Sequence, residues 1–264
     1  MKLVLVGMKI AIDFHIHTTL SPCADLDMTP NNIVNMVLLK GLDAISITDH
    51  NACDNVEAVI KAAASRFLVL PGMELQTREE VHILCYFPSV EAMMDFDEVI
   101  RKYMPKMHRG AKMVGDQQIM DENDLIIGVR NEPLISSVDI SLEKALNEVR
   151  NRGGVAVPAH IDRTAYGIIA QLGFIPPKAN FSVLEISRNN RNKMLHHEDN
   201  SIEMKGHALE NIGKQNFISR FPELYIFSSD AHSLGEILER EMFLEVDELS
   251  INAILCKLKG ECFP

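Results

Sequence analysis

Asp13, His15 and His17 stand two residues apart, with Ile12, Phe14 and Ile16 alternating between them. On an extended strand this spacing turns all three polar side chains to one face. Comparable groups mark other apolar runs. Asp49 and His50 follow ISIT, and Glu74 lies just past a third run that closes at Pro71-Gly72. His82 opens VHILCYF, His160 ends VAVPA, and Asp230 and His232 follow IFSS. A histidine inside an apolar strand needs a partner, because an unpaired buried polar group costs free energy. Imidazole mixed with carboxylate suits zinc, manganese or iron better than calcium or magnesium. The set is too large for one tetrahedral ion, so a centre of two or three divalent ions is the economical account. Such ions clamp a phosphate, activate a water and stabilise a leaving oxygen.

The elements that position these groups follow an alternating rhythm. Strands are expected at Ile10–Phe14, Ala44–Thr48, Phe67–Leu70, Val81–Phe87, Val155–Ala159, Phe181–Ile186 and Leu224–Phe227. Most are followed by a helix. The first helix has Thr29 as N-cap, Pro30 at N1 and Gly41 at its end. A helix is also expected within residues 201–219. Short apolar strands of this kind belong to a parallel sheet covered on both faces. Right-handed crossovers would then gather the following loops at one end of an α/β barrel. The rhythm breaks over residues 91–140, which read as a small, mostly helical insertion in a single domain spanning 1–264.

The ordered combination DFHIH, TDHN, Glu74, His82, His160 and SSDAH resembles the PHP (polymerase and histidinol phosphatase) domain. The resemblance covers nearly the whole chain outside the insertion. It implies a distorted (β/α)7 TIM-like barrel and a metal-dependent phosphoesterase. It also implies that His15, His17, Glu74 and Asp230 hold a first metal. Glu74 would bridge to a second, held with His82 and His160, while His50 and His232 would serve a third. Catalysis would fall to a metal-activated water beside Glu74 and His232. The family's third-site aspartate lies in a Ser-Asp-Gly segment soon after HxH. Here the segment reads LSPCADLDM, and Pro22 takes the ungapped position. Asp25 is the expected replacement, with Asp27 and Cys23 as alternatives. Asp13 and Asp49 are expected to support the ligands from behind. Arg163, Arg188 and Arg191 are candidate phosphate contacts, since guanidinium forks onto phosphate oxygens. His108, His196, His197 and His207 read as surface or supporting histidines.

Composition narrows the function classes. The 264 residues carry a net charge of -11, which disfavours binding to a long nucleic-acid duplex. Aromatic residues are 6% with no Trp, leaving few stacking platforms. GxxxxGK[ST], an early GxGxxG, HExxH and GxSxG are all absent. The five cysteines show no disulfide spacing, and free thiols point to the cytoplasm. The N-terminal apolar stretch is broken by Lys9 and reads as strand, not as a signal peptide, and no membrane span is expected. The leading expectation is hydrolysis of a small phosphomonoester. The rivals are a phosphodiesterase or exonuclease on nucleotides or short single strands, and a non-enzymatic metal-stabilised regulatory domain.

Overall fold

The computed structural model describes residues 7–106, 115–188 and 224–261. In chain order the strands are β1 (Met8–Ile16), β2 (Ala44–Ile47), β3 (Leu68–Gln76), β4 (His82–Tyr86), β5 (Gln118–Met120), β6 (Ile126–Val129), β7 (Val155–Pro158), β8 (Val183–Ser187), β9 (Leu224–Ser228) and β10 (Phe243–Val246). The helices are α1 (Pro30–Lys40), α2 (Val56–Ala63), α3 (Val90–Arg101), α4 (Leu142–Asn151), α5 (Ile168–Leu172) and α6 (Ile251–Lys259). Thr29 caps α1 by accepting from the Asn32 amide, and Gly41 ends it in the left-handed conformation. Both roles were legible from side-chain chemistry. The expected helix within 201–219 lies outside the described residues.

A mixed α/β fold results. Its main sheet has the order β10-β1-β2-β3-β4-β7 and curls. The parallel pair β8–β9 sits between its two sides, with β8 beside β7 and β9 beside β1. Hydrogen bonds carry this contact past the strand ends, from the Ile161 amide to the Glu185 carbonyl (3.0 Å) and from the His17 amide to the Ala231 carbonyl (2.9 Å). One apolar cluster gathers Ile12, Phe14, Leu84, Tyr86, Val183 and Ile226 from four strands. A second packs Ile33 and Val37 of α1, Val59 of α2, Phe96 of α3 and Leu146 of α4 against the sheet.

Four expectations need correction. The sheet is not all parallel: β4 runs antiparallel to both β3 and β7, and β10 runs antiparallel to β1. The direction of a short apolar strand leaves no mark in its sequence. Glu74 lies inside β3, not past it. That strand pairs with β2 through Pro71 and with β4 from Gly72 onward, so it continues through the Pro-Gly step. Proline lacks an N–H and therefore favours such a change of partner over an uninterrupted ladder. The segment 91–140 is less helical than expected: its described part holds most of α3 and the β5–β6 hairpin. Finally, Cys23, Cys53 and Cys85 are free, but Cys256 is disulfide-bonded. No helix among the described residues is long and apolar enough to cross a membrane.

The hairpin is tied to the loops that follow β1 and β2. The Gln118 amide donates to the Thr19 carbonyl (3.0 Å), and Asn55 Oδ1 accepts from the Met120 amide (2.8 Å). Arg130, buried, forms ion pairs with Asp54 (2.7 Å) and Asp97 (2.8 Å).

Gly72 permits β3 to lie close against β2. A Cβ there would stand 2.4 Å from Ser46 Oγ and 3.0 Å from the Ile47 carbonyl. Gly72→Ala should therefore lower stability by about 1–3 kcal/mol, the usual cost of overpacking. Adding Ser46→Ala should recover part of this loss. Denaturant unfolding checks both, and an unchanged midpoint for Gly72→Ala would contradict the close approach.

Candidate metal centre

The polar groups meet at one end of the curled sheet. β1, β7 and β9 deliver His15, His17, His160, Asp230 and His232 at or just beyond their C-terminal ends, and His50 follows β2. His82 lies at the start of β4 and still arrives there, because β4 runs the opposite way. Three of the backbone positions involved, Asn51, His160 and Asp230, hold positive φ without being glycine. Such conformations persist where the surroundings over-determine them.

Glu74, buried, stands at the middle. Its Oε1 lies 2.8 Å from His82 Nδ1, 3.3 Å from His15 Nε2 and 3.3 Å from His160 Nε2. Its Oε2 lies 2.9 Å from His50 Nδ1 and 3.5 Å from His17 Nε2. Asp230 Oδ1 closes one side, 3.1 Å from His15 Nε2 and 3.0 Å from His17 Nε2. Among the described residues, three groups have ligand atoms close enough for one ion: His15, His17, Glu74 and Asp230; His50, Glu74 and His82; and His17, His50 and His232.

The tautomers of the first two histidines follow from their far sides. His15 Nδ1 faces Glu185 Oε2 at 3.1 Å. His17 Nδ1 is 2.9 Å from Ser21 Oγ, whose hydroxyl donates to Asp49 Oδ1 (2.7 Å). Both Nδ1 atoms thus carry the proton, and both Nε2 lone pairs face inward. Those two Nε2 atoms are 3.2 Å apart. At that distance one of them carries a proton or both face a cation. His50 Nδ1 and Glu74 Oε2, though near each other, make no hydrogen bond of acceptable geometry, and His160 Nδ1 also lacks a partner. Buried polar atoms are seldom left so. These residues fit divalent ions.

Electrostatics agrees. Burial alone would push the Glu74 carboxyl up, but His82, His15 and His50 hold it well below the usual range. Burial would depress the His15 ring, yet Asp230, Glu185 and Glu74 raise it well above its ordinary value. His50 is raised to about 10 against its burial, chiefly by Glu74. His17 goes the other way, lowered by burial and by His232 and His50. Glu74 is thus held ionised amid the rings, the state in which a carboxylate ligates a cation.

The remaining expected residues fall in different places. Asp49 accepts from the Thr18 amide, the Thr18 hydroxyl and Ser21, each at 2.7 Å, behind His17. Asp13 accepts from the Ser229 amide (3.0 Å) and the Leu238 amide (2.9 Å), which anchors the loop carrying Asp230 and His232. Arg163 pairs with Asp230 Oδ2 at 2.5 Å and is half exposed. Arg188 is engaged by the Glu236 carbonyl (3.2 Å) and Glu241 (3.3 Å). Arg191 lies outside the described residues, as do His108, His196, His197 and His207. Asp25 is exposed, and it is its backbone amide that engages the His232 carbonyl (2.8 Å). Asp27 is also exposed. Cys23 is exposed too, and its thiol stands near His232 and His50. Burial would raise it, but these rings lower it to about 7.

Sequence reasoning missed Glu185. It is buried in β8, the one expected strand without an assigned ligand, and also accepts from the His160 amide (3.0 Å). The signal was present: a carboxylate between Leu184 and Ile186 in an apolar strand must have a partner.

No family model matches the chain. A curated relative, an uncharacterized protein of Methanocaldococcus jannaschii, is 27% identical over 163 residues, 62% of this chain and 18% of its own length. A lesion-specific endonuclease of Pyrococcus furiosus superposes over 96% of this chain and 56% of its own, with TM-score 0.57 and 18% identity. A second such structure is Endonuclease Q bound to a 27-mer duplex with an abasic lesion at its active site (TM-score 0.58, 18% identity, 96% of this chain and 57% of that one). A two-domain protein of Bacteroides vulgatus, containing a predicted PHP-like metal-dependent phosphoesterase, gives TM-score 0.51 at 17% identity over 97% of this chain and 64% of its own. The fold is that of PHP-like phosphoesterases. The resemblance read from the sequence therefore holds at the level of architecture. The chain spans under a fifth of the curated relative and just over half of the endonuclease.

If Glu185 orients His15, Glu185→Gln should keep the fold and weaken ion binding by roughly 10–100-fold, as loss of a supporting carboxylate does elsewhere. Metal titration of the chelator-stripped protein checks this, and unaltered affinity would contradict it.

Proposed function

We propose that the chain is a metal-dependent phosphoric ester hydrolase of the PHP family. The observation that carries the reading is buried Glu74 with five imidazoles turned to its two oxygens. We assign His15, His17, Glu74 and Asp230 to a first ion, and Glu74, His82 and His160 to a second. We assign His50 and His232 to a third. His50 also faces Glu74, so it stands between the last two groups. Ions held there, whether manganese, zinc or iron, would polarise a water and offset charge developing on the phosphate oxygens. Glu74 keeps two sites together, and Glu185 and Asp49 hold the HxH rings in register. Arg163, which pairs with Asp230 at the rim, is our candidate for a phosphate contact. We read the strands β1, β2, β3, β4, β7, β8 and β9 as the staves of a distorted (β/α)7 barrel. In this reading residues 1–264 form one domain and 91–140 an insertion. Three free thiols favour a reducing, cytoplasmic setting, and the disulfide at Cys256 weighs against it.

A small phosphomonoester is our first substrate class, consistent with the acidic chain. Cleavage of a phosphodiester in nucleic acid is the second reading, and a specific observation favours it. Tyr166, 41% exposed, stacks on His82 with ring centroids 4.6 Å apart and planes 12° from parallel. Its free face is available to a base beside the centre, and the similar endonuclease acts on a DNA lesion. The test offers three substrates with and without chelator: phosphorylated metabolites, a terminally blocked short single strand, and a duplex with an abasic site. We expect inorganic phosphate from at least one metabolite, lost on chelation and restored by metal. Cleavage of a nucleic acid alone would transfer the assignment to the second reading. No turnover of any substrate with metals restored would contradict hydrolysis.

A further inference from the structure

An aromatic ring stands at the rim of the centre with one face used and one face open. Tyr166 lies on the loop between β7 and α5. Its ring stacks on His82, with centroids 4.6 Å apart and planes 12° from parallel, yet the residue stays 41% exposed. A ring that served only to pack would gain by burying its second face too.

The loop fixes the ring in this position. The His82 amide donates to the Tyr166 carbonyl (2.9 Å), and the Arg163 amide closes a turn on the His160 carbonyl (2.9 Å). The Ser187 amide donates to Asp162 Oδ1 (2.8 Å). A Cβ on Gly167 would stand 2.7 Å from the Arg163 carbonyl and 3.0 Å from that of His160, so the turn closes only on a glycine. Tyr166 itself has φ of 60°, which a large side chain adopts where its surroundings over-determine it. The same loop carries Arg163, which pairs with Asp230. One short loop thus brings a guanidinium and an open aromatic face to two of the proposed ligands.

We propose that this loop selects a nucleoside monophosphate, its base on the open face of Tyr166 and its phosphate turned to the centre. This rests on the reading of the chain as a metal-dependent phosphoesterase and names its substrate. Every nucleobase presents a π-face that stacks on an aromatic ring. A single nucleotide suits the site better than a strand, which is gripped by many cations along its phosphates. Among the described residues Arg163 is the one Lys or Arg paired to a proposed ligand, Arg188 is engaged by Glu241, and the chain is acidic. Hydrolysis breaks the phosphorus–oxygen bond to the sugar. The oxygen of water bonds to phosphorus, and one of its protons passes to the sugar oxygen.

The test compares adenosine 5′-monophosphate, adenosine 3′-monophosphate and ribose 5-phosphate, which has no base, on the metal-restored protein. Wild type and Tyr166→Phe should favour one adenosine phosphate over ribose 5-phosphate by about 10-fold or more in kcat/KM, the effect of one stacked base. In Tyr166→Leu, which still covers His82 but has no π-face, that ratio should fall toward one. An uncleavable phosphonate analogue of the favoured nucleotide, followed by proton NMR with the zinc form, reads stacking without turnover. Its base protons should shift upfield with wild type and Tyr166→Phe and not with Tyr166→Leu. Equal kcat/KM for all three substrates, or a preference that survives Tyr166→Leu, would overturn the proposal and leave the hydrolase reading. Upfield shifts with the analogues of the two nucleotides but no turnover of any substrate would overturn the hydrolase reading and leave the stacking site. Neither shift nor turnover would overturn both.

Discussion

A carboxylate buried among imidazoles sets the terms for this molecule. Glu74 is sealed from solvent, and five ring nitrogens from four strands or their loops lie within 3.5 Å of its oxygens. Burying an ionised carboxylate costs several kcal/mol unless partners compensate. The inward Nε2 atoms of His15 and His17 are 3.2 Å apart, so either a proton lies between them or both face a cation. Divalent cations held there would offset the buried carboxylate and satisfy several lone pairs at once.

The scaffold follows from the need to bring those groups together. Parallel strands β1 and β2 present their C-terminal ends, while the reversed β4 presents its start, so His82 reaches the same rim. β3 spans the change of partner, with Gly72 allowing the close packing that precedes Glu74. Behind the rim, Glu185, the Ser21–Asp49 pair and Asp13 hold the ligands or their loops by hydrogen bonds. The β5–β6 hairpin and Gly115 brace the loop bearing Cys23. Catalytic geometry in this account belongs to a supported shell and not to the inward residues alone.

Much of this was legible in the sequence, for identifiable reasons. Polar residues at period two in an apolar strand disclosed His15 and His17, and Thr29 with Gly41 disclosed α1. Other features left weaker traces. A strand's direction depends on how the chain turns between elements, so the reversal of β4 was hidden in an apolar run that reads alike both ways. Glu185 sits singly in such a run and lacks a repeating partner in sequence. The exposure of the Asp25 side chain depends on the path of a loop whose backbone is fixed by distant residues, His232 and Gly115 among them. Arg188 shows the same limit: its position after a strand was readable, but its engagement with Glu241 was not.

In the proposed arrangement Glu74 serves two ions at once. Its most direct measurement is the metal content of purified wild-type, Glu74→Gln and His82→Ala proteins, with folding checked by circular dichroism. Glu74→Gln should lose about two equivalents together, as expected when a carboxylate shared by a two-metal site is removed. His82→Ala should lose mainly one. A folded Glu74→Gln protein that keeps the full wild-type complement of metal would contradict the bridging role and the arrangement built around it.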